Sequence, residues 1–579
     1  MRGGIHVAAL ASAGAGERVV SGTRPRWSPN SKFLAFLDKQ IKVYDVADRS
    51  VRSITDAKGP ITSFSWSPDA LAMFYVSSDS GPTPDPIVMD RDYRYGRLYR
   101  QALSGGPAEL ITKADRHVIS FSVSPDASRV VYAAQPTPRD RDAFNVDLYE
   151  IDRSSGAERA LVAQPGRDAD PSYSPDGRWI AFHSQAGSQN YFEARHVAVV
   201  PTTGGPPRYC TRKHDADVFR NGNSFHWASD SRSITYTAGK GIQDVLLRQD
   251  LSSDKVEVLA ERIAGFASCT PDGNPDGNQC VLLKTSPERP AEVYLHRKGT
   301  EKQLTHLQDG VVASLPRIQS EVIRWKGSDG LALEGILWLP VNYRAGSRVP
   351  LLTELHGGPT GVTLHSFPIP RVYPIQVFLQ QGIAVFSPNF RGSANYGAAF
   401  RLKNALSQGI GDYNDVMTGI DALVARGTAD PDRLGIMGWS YGGYLTGSVI
   451  TQTNRFKAAS IGAPATDWIT YYGQSDAGPE ILSTYFGGSP WDKPENYVRH
   501  SSRGGLKNIR TPTLLQVGAL DINHNGEIYR ALTDHGVPVE YVIYPREGHG
   551  ITEPAHVRDL LERNLRWFLK WLTPDKPTA

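Results

Sequence analysis

Three cysteines in 579 residues are too few for a disulfide framework. Cys210, Cys269 and Cys280 are therefore expected to be reduced, although Cys269 and Cys280 flank one hairpin turn and could face each other across it. Charge of one sign is missing too: 63 Lys and Arg against 60 Asp and Glu leave a net +3 with no basic run, so neither nucleic acid nor an anionic membrane is expected as a partner. No stretch approaches the roughly 20 apolar residues of a membrane span. Near the start, the apolar run around Val7-Ala8-Ala9-Leu10-Ala11 is short and interrupted by His6, which argues against a signal peptide and for a cytoplasmic protein. Asp272-Gly273-Asn274-Pro275-Asp276-Gly277 imitates the start of a calcium loop, but the twelfth loop position is Leu283 instead of glutamate, so we expect a turn and no metal. No cofactor is expected.

What is present is Gly438-Trp439-Ser440-Tyr441-Gly442, between the apolar run Leu434 to Met437 and a helix-like segment from Tyr444. Strand, sharp turn and helix are the context of a nucleophile elbow, where small neighbours let a serine hydroxyl stand above the sheet end. Downstream, Asp521 follows the strand Thr513 to Val517, and His549 follows the strand Val539 to Tyr544. Both sit at the carboxyl ends of expected parallel strands, the edge where open α/β sheets place their sites. Ser440 is a weak nucleophile unless a base takes its proton, so His549 is expected as base and Asp521 as the group that orients the imidazole.

A second glycine-rich segment, His356-Gly357-Gly358-Pro359, follows the strand Val349 to Leu352. A loop of this kind supplies backbone N–H groups to a substrate oxyanion, and the expected donors are the N–H groups of Gly358 and Tyr441. The His356 ring itself is expected to pack and bond the local backbone.

With Asn389-Phe390-Arg391-Gly392-Ser393, Tyr396-Gly397 and Gly548-His549-Gly550, these segments make residues from about 320 to 572 resemble a serine peptidase of the prolyl oligopeptidase family, nearest in pattern to its acylaminoacyl peptidase branch. The resemblance implies a β-propeller in front of an α/β-hydrolase domain. The first half supports this independently. Trp27-Ser28-Pro29-Asn30, Trp66-Ser67-Pro68-Asp69, Ser124-Pro125-Asp126, Ser174-Pro175-Asp176-Gly177, Trp227-Ala228-Ser229-Asp230 and Thr270-Pro271-Asp272-Gly273 recur at intervals of 39 to 57 residues. That period, with short strands between, reads as propeller blades. Each turn combines proline for φ, aspartate for local bonding and glycine for positive φ. Six cycles are visible, and Ile5 to Gly22 reads as part of a preceding blade, so six or seven blades are expected. The domains are placed at 1–317 and 318–579.

For substrate, the resemblance assigns Trp468 and Tyr472, with Tyr441, to an aromatic box for an apolar P1 side chain, and Asn523 to a hydrogen bond with the P2 carbonyl. Two features depart from the dipeptidyl peptidase IV branch: its oxyanion tyrosine is replaced by His356, and no paired-glutamate motif stands in the first half. Arg391 either meets a carboxylate near the site or pairs structurally with Asp415. The expectation is a peptidase acting on short peptides or acyl-peptides, with homo-oligomerisation left open. The alternatives are an esterase or amide hydrolase acting on a small molecule, since one triad serves any acyl transfer, and an inert binding scaffold.

Overall fold

The Ser-Pro-Asx turns are closed by their own side chains. In the computed structural model, which describes residues 4–8, 16–79, 86, 88, 93–214, 218, 225–269, 279–297, 299–475, 479–521 and 526–573, Ser28, Ser67, Ser124 and Ser174 each donate through Oγ to the Asx side chain two residues on, at 2.7, 2.5, 2.6 and 2.6 Å. The same hydroxyls accept the N–H groups of Phe33, Ala72, Arg129 and Trp179. Glycine is not what the positive-φ position requires. Among the described residues only Gly177 fits that expectation, whereas Ser31, Ala70, Ala127 and Ser231 hold φ between 57° and 60°. The Asx bonds to the following N–H groups offset that strain.

Each of these turns joins the first two strands of a four-stranded antiparallel sheet, and six such sheets stand among the described residues, spanning 23–53, 61–110, 117–162, 166–209, 225–261 and 263–303. The third and fourth are joined by a short parallel pairing of Asn145–Val146 with Gly166–Arg167. Successive sheets pack face to face, as Ile41 and Val43 do on Phe64 and Met73, and Leu246 on Ile263 and Leu282. Indole donors tie them further: Trp66 Nε1 bonds Arg26 O and Trp227 Nε1 bonds Ser172 O, each in the preceding sheet, at 3.0 and 3.1 Å. The N-terminal region is thus a β-propeller. A two-stranded pair, Gly4–Val7 with Glu17–Ser21, packs Ile5 on Leu34, Phe36 and Tyr44 of the first sheet, the contact a preceding blade makes.

The cysteine expectation needs correction. Cys210 is free and buried, but Cys280 is disulfide-bonded. The residue opposite Cys280 in the antiparallel ladder is Cys269. A disulfide persists in oxidising surroundings. The calcium-like segment Asp272 to Gly277 lies outside the described residues.

The C-terminal sheet has strands β1 (Gln319–Lys326), β2 (Ala332–Leu339), β3 (Val349–Leu355), β4 (Ala384–Asn389), β5 (Ala429–Trp439), β6 (Phe456–Gly462), β7 (Thr513–Gly518) and β8 (Val539–Tyr544). Their spatial order is β1-β2-β4-β3-β5-β6-β7-β8. The pairs β1/β2 and β2/β4 are antiparallel and the rest parallel. Adjacent residues serve opposite faces: Leu351 and Ile436 pack under Leu445 and Val449, whereas Leu352 and Met437 pack under Phe568 and Leu572. Burial on both faces is why these strands read as continuous apolar runs. Helices α1 (Gly411–Ala425), α2 (Tyr441–Gln452), α3 (Trp468–Gln474), α4 (Pro479–Phe486) and α5 (Pro554–Leu572) flank or cap this α/β-hydrolase sheet. No helix among the described residues is long and apolar enough to cross a membrane.

We place the division between the domains at 317/318, between the strand Thr300–Gln303 and β1. The two meet through Asn395, whose Nδ2 donates to Gly241 O and Asp244 Oδ1 at 3.1 and 3.0 Å. Tyr191 Oη lies 3.0 Å from Thr360 Oγ1, and the Phe192 ring meets Tyr485 edge-on at 4.6 Å.

Candidate active site

Ser440 stands between β5 and α2 with φ 62° and ψ −124°, a conformation that a non-glycine residue holds only when its surroundings enforce it. The enforcement is steric. A Cβ on Gly438 would lie 2.2 Å from Gly442 O, and one on Gly442 would lie 2.0 Å from Leu355 O, so no other residue fits at either place without movement. Ser440 N donates to Gly462 O and Tyr444 N to Ser440 O, both at 2.9 Å, which locks the turn from each side.

Asp521 follows β7 and is buried, and His549 follows β8. His549 Nδ1 lies 2.9 Å from Asp521 Oδ2. Their loops are tied by Leu520 N donating to Glu547 O at 2.8 Å. The Glu547 carboxylate accepts the N–H groups of Thr552 and Glu553, the Thr552 hydroxyl and a His556 Nδ1 contact. Glu547, Glu553 and His556 gather three side chains of metal-ligand type within 4.8 Å, but these bonds already occupy both Glu547 oxygens and assign the cluster to closing the loop of His549. Among the described residues no hydrogen bond joins Ser440 Oγ to His549. The His549 side chain is 50% exposed, and catalytic bonds of this kind tighten only when substrate fills the site.

Gly358 and Tyr441 line the same cavity as Ser440. Gly358 has φ 126°, and a Cβ there would lie 2.3 Å from Gly361 N. The Tyr441 phenol points away from the reaction centre, donating to Asp412 Oδ2 at 2.5 Å. Asp412 is fully buried, and burial first, then the neighbouring Asp415 charge, push its carboxyl up to about 7. Arg391 is structural: its Nε and Nη2 hold both Asp415 oxygens, at 2.8 and 2.7 Å. His356 bonds Gly357 O and Ser393 Oγ and stacks on Phe390 at 4.3 Å between centroids.

The cavity measures about 240 Å³ and its walls include Ser440, Trp468, Tyr471, Leu482, Tyr485 and Phe486. Trp468 and Tyr441 are brought together there as expected, but Tyr472 is not. Its ring packs edge-on against Trp491 and Tyr497, and Tyr471, one residue earlier on α3, takes the place in the wall. Asn523 lies outside the described residues. Tyr191, from the propeller, and Gln408 also line the cavity; neither belongs to a motif, and only the fold brings them to Ser440.

Residues 371–575 match the prolyl oligopeptidase family. The chain is 27% identical to the uncharacterized peptidase YuxL of Bacillus subtilis, over 96% of this chain and 97% of that protein. It is 23% identical to dipeptidyl-peptidase 5 of Porphyromonas gingivalis, over 96% and 88%. Among solved structures, acylaminoacyl peptidase of Pyrococcus horikoshii superposes with a TM-score of 0.79 at 24% identity, covering 96% of this chain and 89% of that one. An acylaminoacyl peptidase in complex with Z-Gly-Gly-Phe-chloromethyl ketone gives 0.80 at 23%, covering 96% and 89%. Propeller, elbow and family match together lead to one conclusion: a prolyl oligopeptidase family domain, matched over residues 371–575, follows a β-propeller in this chain.

Proposed function

We propose that Ser440, His549 and Asp521 form the catalytic triad of a peptidase that cleaves short peptides or acyl-peptides after an apolar P1 residue. Ser440 Oγ attacks the scissile carbonyl as its proton passes to His549, and Asp521 holds the imidazole and stabilises its charged form. The N–H groups of Tyr441 and Gly358 receive the oxyanion. His549 then gives the proton to the leaving amine, and water releases the acyl group by the same steps in reverse. The observation that carries this reading is the 2.9 Å contact of His549 Nδ1 with Asp521 Oδ2 at the strand ends that also present Ser440. The cavity beside Ser440, with Trp468 and Tyr441 in its wall, supports its use as the P1 pocket. Asn523 is proposed to donate to the P2 carbonyl. The names of the relatives, acylaminoacyl and dipeptidyl peptidases, favour removal of a short N-terminal unit, with the propeller limiting entry by size.

The test is a fluorophosphonate label followed by a substrate panel of acyl-aminoacyl anilides, aminoacyl anilides and an aryl ester. Labelling at Ser440 with anilide turnover is expected. Failure to label Ser440 overturns the triad, and turnover of the ester alone makes the chain an esterase instead of a peptidase.

A further inference from the structure

The cavity beside Ser440 is not uniformly apolar. Gln408 lines it while being 1% exposed, and neither its Oε1 nor its Nε2 has a hydrogen-bond partner. Tyr485, 3% exposed, lines it as well and its Oη is likewise unpartnered. Buried polar groups are almost always bonded, because leaving one unsatisfied costs more than a bond to it contributes. The backbone of Gln408 is held from two sides. Gln408 O accepts from His500 Nδ1 at 2.8 Å, and the same His500 presents its own carbonyl to Trp468 Nε1 at 3.0 Å. The next residue, Gly409, has φ 69°, and a Cβ on it would lie 2.6 Å from Ser448 Oγ and 2.7 Å from Tyr444 Oη. The turn is pressed against α2, and Gln408 stands in the cavity wall with neither amide atom bonded.

We propose that Gln408, assisted by Tyr485 Oη, reads an uncharged hydrogen-bonding tip on the P1 side chain, and that the P1 residue is tyrosine. This rests on the cavity being the P1 pocket. Aromatic walls accept a flat ring by offset and edge contacts. A phenol at the far end both donates to Gln408 Oε1 and accepts from Nε2. Phenylalanine fills the same walls but strips water from the amide without replacing its bonds, and sites built to bond a hydroxyl discriminate against the analogue that lacks it.

The experiment compares kcat/KM for acyl-Tyr, acyl-Phe and acyl-Ala anilides in the wild type and in Gln408→Met, which keeps the side-chain volume and removes the amide. The expected Tyr/Phe ratio is about 10 in the wild type, falling to about 1 in the variant. A wild-type ratio of 1 or less with good turnover of Phe overturns the inference and leaves the P1 pocket standing. A high ratio unchanged in Gln408→Met also overturns it. If acyl-Ala is cleaved and neither aromatic substrate is, the cavity is not the P1 pocket and the earlier reading fails instead. The wild-type ratio needs no variant, so a poorly folding Gln408→Met does not remove the test.

Discussion

Trp439 Nε1 donates to the main-chain oxygen of His549 at 2.9 Å. The residue before Ser440 in the elbow therefore holds the loop of His549, the residue we propose takes the Ser440 proton. Since His549 is half exposed and its side chain is fixed from one side by Asp521, this bond is a second restraint on where the imidazole stands.

Trp439→Phe should lower kcat about 2- to 13-fold, the worth of one neutral hydrogen bond, with KM little changed. Steady-state kinetics on an anilide substrate check this. A rise in KM at constant kcat means that the indole contacts substrate instead of positioning the loop.

Ser440→Ala should lower kcat on the order of 10⁴- to 10⁶-fold, as in other triads, while substrate binding and thermal stability stay near those of the wild type. Turnover by the purified variant and its melting curve are the measurements. Near-wild-type turnover removes the mechanism.

Asp412 gives a pH signature in stability. Burial and Asp415 raise its folded pKa from an ordinary 3.8 to about 7. Its contribution is therefore complete below 3.8 and is lost as the pH rises to about 7. Asp412→Asn cannot ionise, so its Tm relative to wild type should climb between pH 4 and 7 and level off above about 8. Melting curves across that range decide it, and a constant difference means that Asp412 does not titrate there.

Trp468→Ala should erode discrimination among P1 residues, because the indole is buried in the cavity wall and locked by its bond to His500 O. Asn523→Ala should cost about 2- to 13-fold in kcat/KM for a substrate reaching P2 and almost nothing for a one-residue ester. Equal losses on both substrates make Asn523 a support for the Asp521 loop.

The elbow and the blade turns were legible because their causes are local. The elbow's own residues supply part of its steric demand, since a Cβ on Gly438 would lie 2.2 Å from Gly442 O, while the limit at Gly442 comes from Leu355 O of β3, 2.0 Å from where its Cβ would be. Within the turns at Ser28, Ser67, Ser124 and Ser174, Ser and Asx bond each other and Ser bonds the next strand five residues on. Even so, the role given to glycine there was too narrow, since the Asx bonds let Ser31, Ala70 and Ala127 take positive φ.

By itself the sequence determined the two-domain order, the apolar strands that deliver Ser440, Asp521 and His549 to one sheet edge, and the backbone-bonded role of His356. Each follows from residues adjacent in the chain or from alternation along one strand. Only the tertiary structure decided which aromatic of α3 reaches the cavity. Tyr471 and Tyr472 are about 100° apart on a helix, and packing of Tyr472 on Tyr497 and on Trp491, which is 76% exposed, sets the rotation that admits Tyr471. The same holds for Tyr191, which enters from a propeller loop, for the Cys280 disulfide, and for Gln408, whose turn is held by two distant segments, His500 and α2, and whose amide has no partner. Contacts between residues far apart in the chain have no period or spacing to betray them, so the contents of the cavity wall were settled by packing.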